Sequence, residues 1–126
     1  MRSLTVRTER KDQVLDITSQ VQDELEAAEG VCTVFAAHTT CAITTADLDP
    51  GTDQDYLEAF RKLLPAIRYR HPHDPGHTPD HILATLIGPS VSVPVRGGRL
   101  VLGVWQRIVL IEFDGPRERE VYVTVR

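Results

Sequence analysis

Four of the five histidines, His71, His73, His77 and His81, fall within the stretch Arg70 to Ser90, which reads RHPHDPGHTPDHILATLIGPS. Imidazole is the usual side chain for metal ligation and for proton transfer near neutral pH. Loops held by a rigid scaffold are where such groups tend to act. His71 and His73 flank Pro72, so in an extended segment they face the same way. A catalytic metal usually takes three protein ligands and keeps one position open. Two of these imidazoles joined by His38 or His81 meet that count, whereas His73 also fits a solvated loop. His77 and His81 are four residues apart, the spacing that shares a helix face. Pro79 intervenes, however, and Asp80 reads as a helix N-cap, so this is not the HExxH metal motif. At the start of a helix, His81 instead stands where free N–H groups attract anions such as phosphate.

The fifth histidine, His38, ends an apolar run and precedes Thr39 and Thr40. That position fits a ligand, a proton carrier or a phosphate donor, and equally a structural histidine. Among the acids, Asp49 and Asp114 precede Pro or Gly and fit turns, and Asp47 lies in the same acidic turn as Asp49. Glu112 lies inside the run IVLIEFDG. A carboxylate there either faces solvent from a half-buried strand or is paired in a site. Trp105-Gln106, between two strands, either lines a pocket or simply packs Trp105 as an ordinary aromatic. Neither a phosphate-binding glycine loop nor a Ser-His-Asp signature is present.

The elements that must position these groups read as follows. Residues 2–8 alternate as a strand, and Gln13 to Ile17 form a second. Ser19-x-x-Gln22 fits a capping box for a helix with Val21, Leu25 and Ala28 on one face and Gly30 at its end. Val31 to Ala37 is an apolar, central strand, and Ile43 to Thr45 continues extended. Thr52 caps a helix with Asp53 and Asp55 in its first turn, Tyr56, Phe60, Leu63 and Leu64 on its apolar face, and Pro65 stopping it. A short helix spans His81 to Ile87, closed by Gly88-Pro89. Ser90 to Val95 and Arg99 to Val104 flank the hairpin signal Gly97-Gly98. Arg107 to Phe113 and Glu120 to Arg126 complete the strands. Strands at both ends with helices between them predict an α+β fold: a single-domain sandwich of a largely antiparallel sheet with two or three helices on one side.

Composition narrows the partners. The 126 residues suit one domain over 1–126. The net charge of -4, with 18 acidic against 14 basic residues, argues against a nucleic-acid binder. No apolar run approaches membrane-span length, and the first residues do not read as a signal peptide. Cys32 and Cys41 lie in strand-like apolar surroundings and read as buried thiols of a cytoplasmic protein. Without a CxxC pair, a cysteine-type zinc site has no support.

In order, the motifs are His38-Thr39-Thr40, the acidic turn to Pro50, Tyr69-x-His71, His81-Ile82, Leu86-Ile87-Gly88-Pro89-Ser90 and Val93-Pro94-Val95. They continue with Gly98-Arg99-Leu100, Leu102-Gly103-x-Trp105-Gln106 and Glu112-Phe113-Asp114-Gly115-Pro116-Arg117. From about Val14 onward this set resembles the YjbQ-like family, often labelled secondary thiamine-phosphate synthase. The resemblance implies a homotrimer of compact α+β sandwiches with a histidine and acid pocket near a subunit boundary. It implies an activity, generally regarded as secondary, that joins a pyrimidine methyl pyrophosphate to a thiazole phosphate. The partner expected is therefore a small phosphorylated substrate. Residue by residue, His38, His71 and His81 match the family's histidines, Glu112 and Asp114 the acids of its closing motif, and Trp105-Gln106 its tryptophan-glutamine pair; the catalytic residues expected on that footing are His38, His81, Asp47 and Glu112. Substrate contacts are expected from Thr39, Thr40, Ser90, Trp105, Gln106, Arg107 and Arg117, and His38, His71 and His81 are expected to share one pocket that binds phosphate or a divalent metal, Mg or Zn. Two departures stand out. Many members have a Thr-Ile-Asn-Glu-like run where this chain reads Thr44-Thr45-Ala46-Asp47, so a glutamate role falls to the shorter Asp47. Many also have asparagine where His77 stands. The rival expectations are a metal-dependent hydrolase of a phosphorylated metabolite and a non-catalytic trimeric ligand-binding protein.

Overall fold

Apolar-polar alternation along the chain becomes eight strands in two sheets. The computed structural model describes every residue from Met1 to Arg126. The larger sheet contains β1 (Arg2–Arg7), β3 (Gly30–Ala36), β5 (Ser90–Arg96), β6 (Arg99–Leu100) and β8 (Glu118–Val125), in the order β1-β8-β3-β5-β6. The smaller contains β2 (Gln13–Asp16), β4 (Cys41–Ala46) and β7 (Arg107–Glu112), in the order β2-β7-β4. Every pairing is antiparallel.

Alternate residues of each strand turn inward. Val6, Cys32, Val34, Val93, Val121 and Val123 of the larger sheet meet Cys41, Ile43, Ile108 and Leu110 of the smaller in one buried cluster. A third layer, formed by α2 (Thr52–Leu63) and α3 (Thr78–Ile87), covers the other face of the smaller sheet. There Leu83, with Leu57 and Phe60 partly buried, packs on Ala42, Val109, Ile111 and Phe113. Strand β7 is thus covered on both faces and is buried from Ile108 to Glu112. That double burial explains the unbroken apolar run IVLI, since a strand covered on both sides has no solvent face to alternate toward. The α+β sandwich with helices on one side is therefore the observed fold, with the sheet divided in two. The remaining helix, α1 (Thr18–Asp23), closes one end of the intersheet core with Val21.

Several local expectations give way to tertiary demands. The capping box at Ser19 does not form: the helix begins at Thr18, whose N–H donates to Asp16 Oδ1 at 3.0 Å. Gln22 is used elsewhere, donating to Gly98 O at 2.8 Å and accepting from Leu100 N at 3.0 Å. Gly30 therefore opens β3 rather than ending the helix. Its φ of 138° and a Cβ position only 2.5 Å from Arg126 O require glycine there. Thr52 makes no side-chain cap; Gly51, at φ 89°, is the N-cap of α2. On that helix Leu57, Phe60 and Leu64 pack inward, whereas Leu63 is exposed. The strand expected over Arg99 to Val104 stops at Leu100, and a turn with Gln106 N donating to Gly103 O takes over. Asp80 is not a cap. Helix α3 starts earlier, at Thr78, and Asp80 turns inward to be 1% exposed. Both cysteines are free and buried, and burial pushes the Cys41 thiol up to about 11. No helix is long and apolar enough to cross a membrane.

Candidate functional site

Between β3 and β4 the chain crosses from the larger sheet to the smaller, and His38, Thr39 and Thr40 form that corner. The corner is fastened from beneath by a buried ion pair. Glu112 is fully buried and Arg119 is 3% exposed. Arg119 donates to both Glu112 oxygens, by Nε at 2.9 Å to Oε1 and by a short contact to Oε2. It also donates to Thr40 Oγ1 at 2.8 Å and to Thr40 O at 3.2 Å. Thr8 Oγ1 donates to Glu112 Oε1 at 2.8 Å and Asp114 N to Oε2 at 3.1 Å. Burial is the largest influence and opposes the charge on Arg119, but the hydrogen bond to Glu112 together with the nearby charges of Glu112 and Asp114 outweighs it and raises the pKa of the guanidinium. Every strong acceptor direction on Glu112 is filled from within the protein. Glu112 therefore positions the corner, and the direct catalytic role expected for it is not supported.

His38 rests against the start of β8. Its Nε2 accepts from Glu120 N at 2.9 Å. An imidazole nitrogen that accepts from a backbone N–H carries no proton, so in the neutral ring the proton sits on Nδ1. Burial first, then the charge of Arg119, lowers the pKa of His38 and favours this neutral form. His81 has the opposite free edge. Its Nδ1 lies 3.1 Å from Thr39 O, and a carbonyl can only accept, so Nδ1 carries a proton and in the neutral ring Nε2 keeps its lone pair. Across Thr39, then, one imidazole presents an N–H donor and the other a base.

His71 stacks on His81, with ring centroids 5.1 Å apart and planes within 5°. Its Nδ1 accepts from His73 N at 3.3 Å and Asp74 N at 3.2 Å. His77 Nε2 lies 3.3 Å from Asp74 Oδ2 and 3.7 Å from Asp114 Oδ1. Asp114 also binds Arg117 at 2.9 Å. Burial alone would raise the Asp114 carboxyl, but Arg117, with His77 and Lys11 nearby, outweighs it and holds the pKa below the usual range.

Two clefts meet at the corner. One, of about 400 Å³, is lined by His38, Thr39, Thr40, His77, His81, Asp114, Arg117 and Arg119. The other, of about 390 Å³, is lined by His38, Thr39, Cys41, His81, Ala84, Thr85 and Pro89. The structure thus brings together His38, Thr39, Thr40, His81 and Arg117 of the expected set. Asp47, Trp105 and Arg107 gather in a separate cleft of about 300 Å³. The reason is strand geometry. Cys41 pairs with Glu112 and Ala46 with Arg107, so Thr40 and Asp47 lie at opposite ends of β4. Six residues at ~3.3 Å each separate them by roughly 20 Å. Gln106 is also remote, its Oε1 accepting from Gly103 N at 2.8 Å. Ser90 opens β5 as an exposed partner of Phe35. Within one chain Asp47, Trp105, Gln106 and Arg107 line other clefts, whereas Ser90 follows Pro89, which lines the histidine cleft.

The same hydrogen bonds bear on the expected metal set. Glu120 N–H occupies His38 Nε2, and two backbone N–H groups occupy His71 Nδ1. In-plane lone pairs of the near-parallel His71 and His81 rings do not converge. A second group, His77, Asp80 and Asp114, has ligand atoms within 4.8 Å of one another. In it, however, Lys11 Nζ holds Asp80 Oδ2 at 2.9 Å and Arg61 holds Oδ1 at 2.7 Å. An ammonium already stands where a cation would bind. Sequence reading missed this Lys11–Asp80–Arg61 network because Asp80 imitates an N-cap. Its one signal was Arg61 beside Phe60, a charge next to an apolar helix face.

Comparison with known proteins agrees with the fold and its motifs. Residues 2–126 match the family described as UPF0047 protein YjbQ-like. A UPF0047 protein of Archaeoglobus fulgidus is 42% identical over 121 residues, covering 95% of this chain and 96% of the relative. UPF0047 protein YugU of Bacillus subtilis is 35% identical, covering 98% and 96%. Among solved structures, a hypothetical protein of Aeropyrum pernix superposes with a TM-score of 0.91 at 40% identity, covering 99% and 96%. An uncharacterised YjbQ/UPF0047 protein of Clostridium acetobutylicum superposes at 0.89 with 36% identity and full coverage of both chains. With its whole length matched in sequence and in fold, the chain belongs to the UPF0047, YjbQ-like family.

Proposed function

We propose that the histidine corner is the active site of a transferase for small phosphorylated substrates, with thiamine-phosphate synthesis as one, secondary, reaction. The observation that carries this reading is the complementary pair of free ring edges: His38 with its N–H and His81 Nε2 with its lone pair, on either side of Thr39. Arg117, half exposed in the same cleft, adds a cation for a phosphate. In the coupling, the bond between the pyrimidine methylene carbon and pyrophosphate breaks and its electron pair leaves with pyrophosphate. The thiazole nitrogen lone pair then forms the new C–N bond. Donors aimed at the departing anion lower that barrier, and His38 Nδ1–H and Arg117 are the donors of this chain for the task. No proton moves in this step, so His81 orients the substrate by accepting a hydrogen bond at Nε2. The chain offers no preformed metal cage, so Mg or Zn belongs with the substrate's pyrophosphate in this proposal.

The test is His81→Ala in the purified protein, assayed for thiamine phosphate. A loss of ~10²-fold is expected when a contact that orients the substrate is removed; activity at the wild-type level removes His81 from the mechanism. The hydrolase reading rests on the close approach of His77, Asp80 and Asp114. Bound metal by elemental analysis, with turnover on a panel of phosphate esters, would favour it. A homotrimer is part of the proposal. The outer face of the larger sheet, where Val31 and Phe35 stand exposed, is a surface such an assembly would cover, and sedimentation equilibrium checks it. Two free thiols suit a reducing compartment, so the proposed location is the cytoplasm.

A further inference from the structure

Helix α3 begins without a side-chain cap: His77 stands at its N-cap position and makes no cap hydrogen bond with its side chain. The first turn of a helix carries backbone N–H groups with no partner inside the helix, and such ends fray. His81 lies in that turn, so its contact with Thr39 O needs another anchor. Asp80, the residue before it, is that anchor. Its carboxylate is 1% exposed and accepts from Lys11 Nζ at 2.9 Å and from Arg61 Nη1 at 2.7 Å. A carboxylate buried between two cations is held there, because leaving them strands its charge.

The two cations come from elsewhere in the chain. Lys11 belongs to the turn between β1 and β2, and Arg61 to the last turn of α2. Arg61 is itself fixed by Asp12, to which its Nε donates at 2.8 Å. Both cations also donate to Phe113 O, Arg61 at 3.0 Å. Phe113 N in turn donates to Thr40 O at 3.1 Å, one residue beyond the Thr39 carbonyl that His81 meets. These bonds close a circuit: Asp80 to the cations, the cations to Phe113, Phe113 to Thr40, Thr39 to His81 Nδ1, and so back to Asp80. The same two side chains therefore hold both ends of the His81–Thr39 contact.

We infer that Asp80 is a positioning residue: held by Lys11 and Arg61, it fixes the first turn of α3 so that His81 keeps its proton on Nδ1 and its lone pair on Nε2. The partner of one ring nitrogen decides the state of the other. A ring released from Thr39 divides its proton between the two nitrogens and offers an acceptor at Nε2 for only part of the time. The consequence for catalysis rests on the active-site reading above, whereas the place of the proton does not.

The test uses the full-length protein with isotope-labelled histidine ring nitrogens, whose NMR shifts tell a protonated nitrogen from a lone pair, at about pH 8, where an imidazole is ordinarily neutral. In the wild type the His81 proton is expected on Nδ1. Asp80→Asn keeps the size of the side chain but not its charge, and should lower the ratio of the Nδ1–H to the Nε2–H form roughly 10-fold, the worth of about one hydrogen bond. His38, whose Nε2 accepts from Glu120 N outside this circuit, should keep its proton on Nδ1 and so reports that the corner remains folded. Lys11→Met leaves Asp80 its Arg61 contact and should move the His81 ratio the same way by about 3-fold. Ile87→Ala removes apolar packing from the same helix and should lower the melting temperature without moving the His81 proton. An unchanged His81 ratio in Asp80→Asn overturns the inference, and so does an equal shift in Ile87→Ala. Where Asp80→Asn does not fold, Lys11→Met decides in the same way. If the proton moves but thiamine-phosphate formation does not follow it, the positioning stands and the active-site reading falls instead.

Discussion

Replacing Glu112 with glutamine separates a positioning role from a catalytic one. The carboxylate is fully buried, accepts from Thr8, Asp114 N and Arg119, and is the one acid paired with a guanidinium that is itself 3% exposed. Glutamine has nearly the same shape but turns one acceptor into a donor. That donor must face Asp114 N–H or an Arg119 N–H, and Arg119 is left buried with no counter-charge. Removing one member of a buried pair costs about 3–5 kcal/mol. Against a total stability of about 5–15 kcal/mol for a domain this is a large share. An unfolding entropy of about 2 cal/mol/K per residue turns it into a fall in melting temperature of roughly 10–20 °C for a chain of this length. Thermal unfolding followed by circular dichroism measures it. Exchanging both members for apolar residues, Glu112→Leu with Arg119→Met, should recover most of the loss. If Glu112→Gln unfolds within about 1 kcal/mol of the wild type while activity disappears, the positioning argument is wrong and Glu112 acts on substrate.

Three further outcomes follow from the same contacts. Because burial and Arg119 depress the pKa of His38 below its ordinary 6.5, the unfolded chain takes up a proton that the folded chain refuses. Stability should therefore fall as pH drops below about 6.5, and His38→Gln, whose amide oxygen can still accept from Glu120 N–H, should flatten that part of the profile in urea titrations at about pH 7.5 and about pH 5.5. Arg61→Ala removes contacts to Asp12 at 2.8 Å and to the buried Asp80 at 2.7 Å, and should cost about 2–3 kcal/mol in the same titrations; no measurable change would show that Lys11 alone satisfies Asp80. Gly115→Ala would put a Cβ 2.1 Å from Arg10 O and 2.9 Å from Thr8 Oγ1. It should destabilise by about 2 kcal/mol or more, and soluble protein with an unchanged melting point would refute the packing described around Glu112.

Much of the architecture was open to reading from local pattern. Period-two alternation in β1, β3 and β8 is a property of consecutive residues, and so is the uninterrupted apolar run of β7. The α+β class and most strand positions follow from it. Where local signals misled, a side chain that suits a local role had been taken for a distant one. Gln22 can close a capping box but ties the β5–β6 turn instead, and Asp80 can cap a helix but binds Arg61 and Lys11. Such long-range bonds have no trace in neighbouring residues.

By itself the sequence determined which residues could carry chemistry, where most of the strands and helices lie, and which family the motifs resemble. The tertiary structure decided how those residues are shared out. Antiparallel pairing of β4 with β7 sends Thr40 and Glu112 to one end of the smaller sheet and Asp47 and Arg107 to the other. Hydrogen bonds from Glu120 N and to Thr39 O decided which nitrogen of His38 and His81 is free. Ring nitrogens look alike in a sequence. Only the partner that meets each one makes it a donor, a base or a closed position.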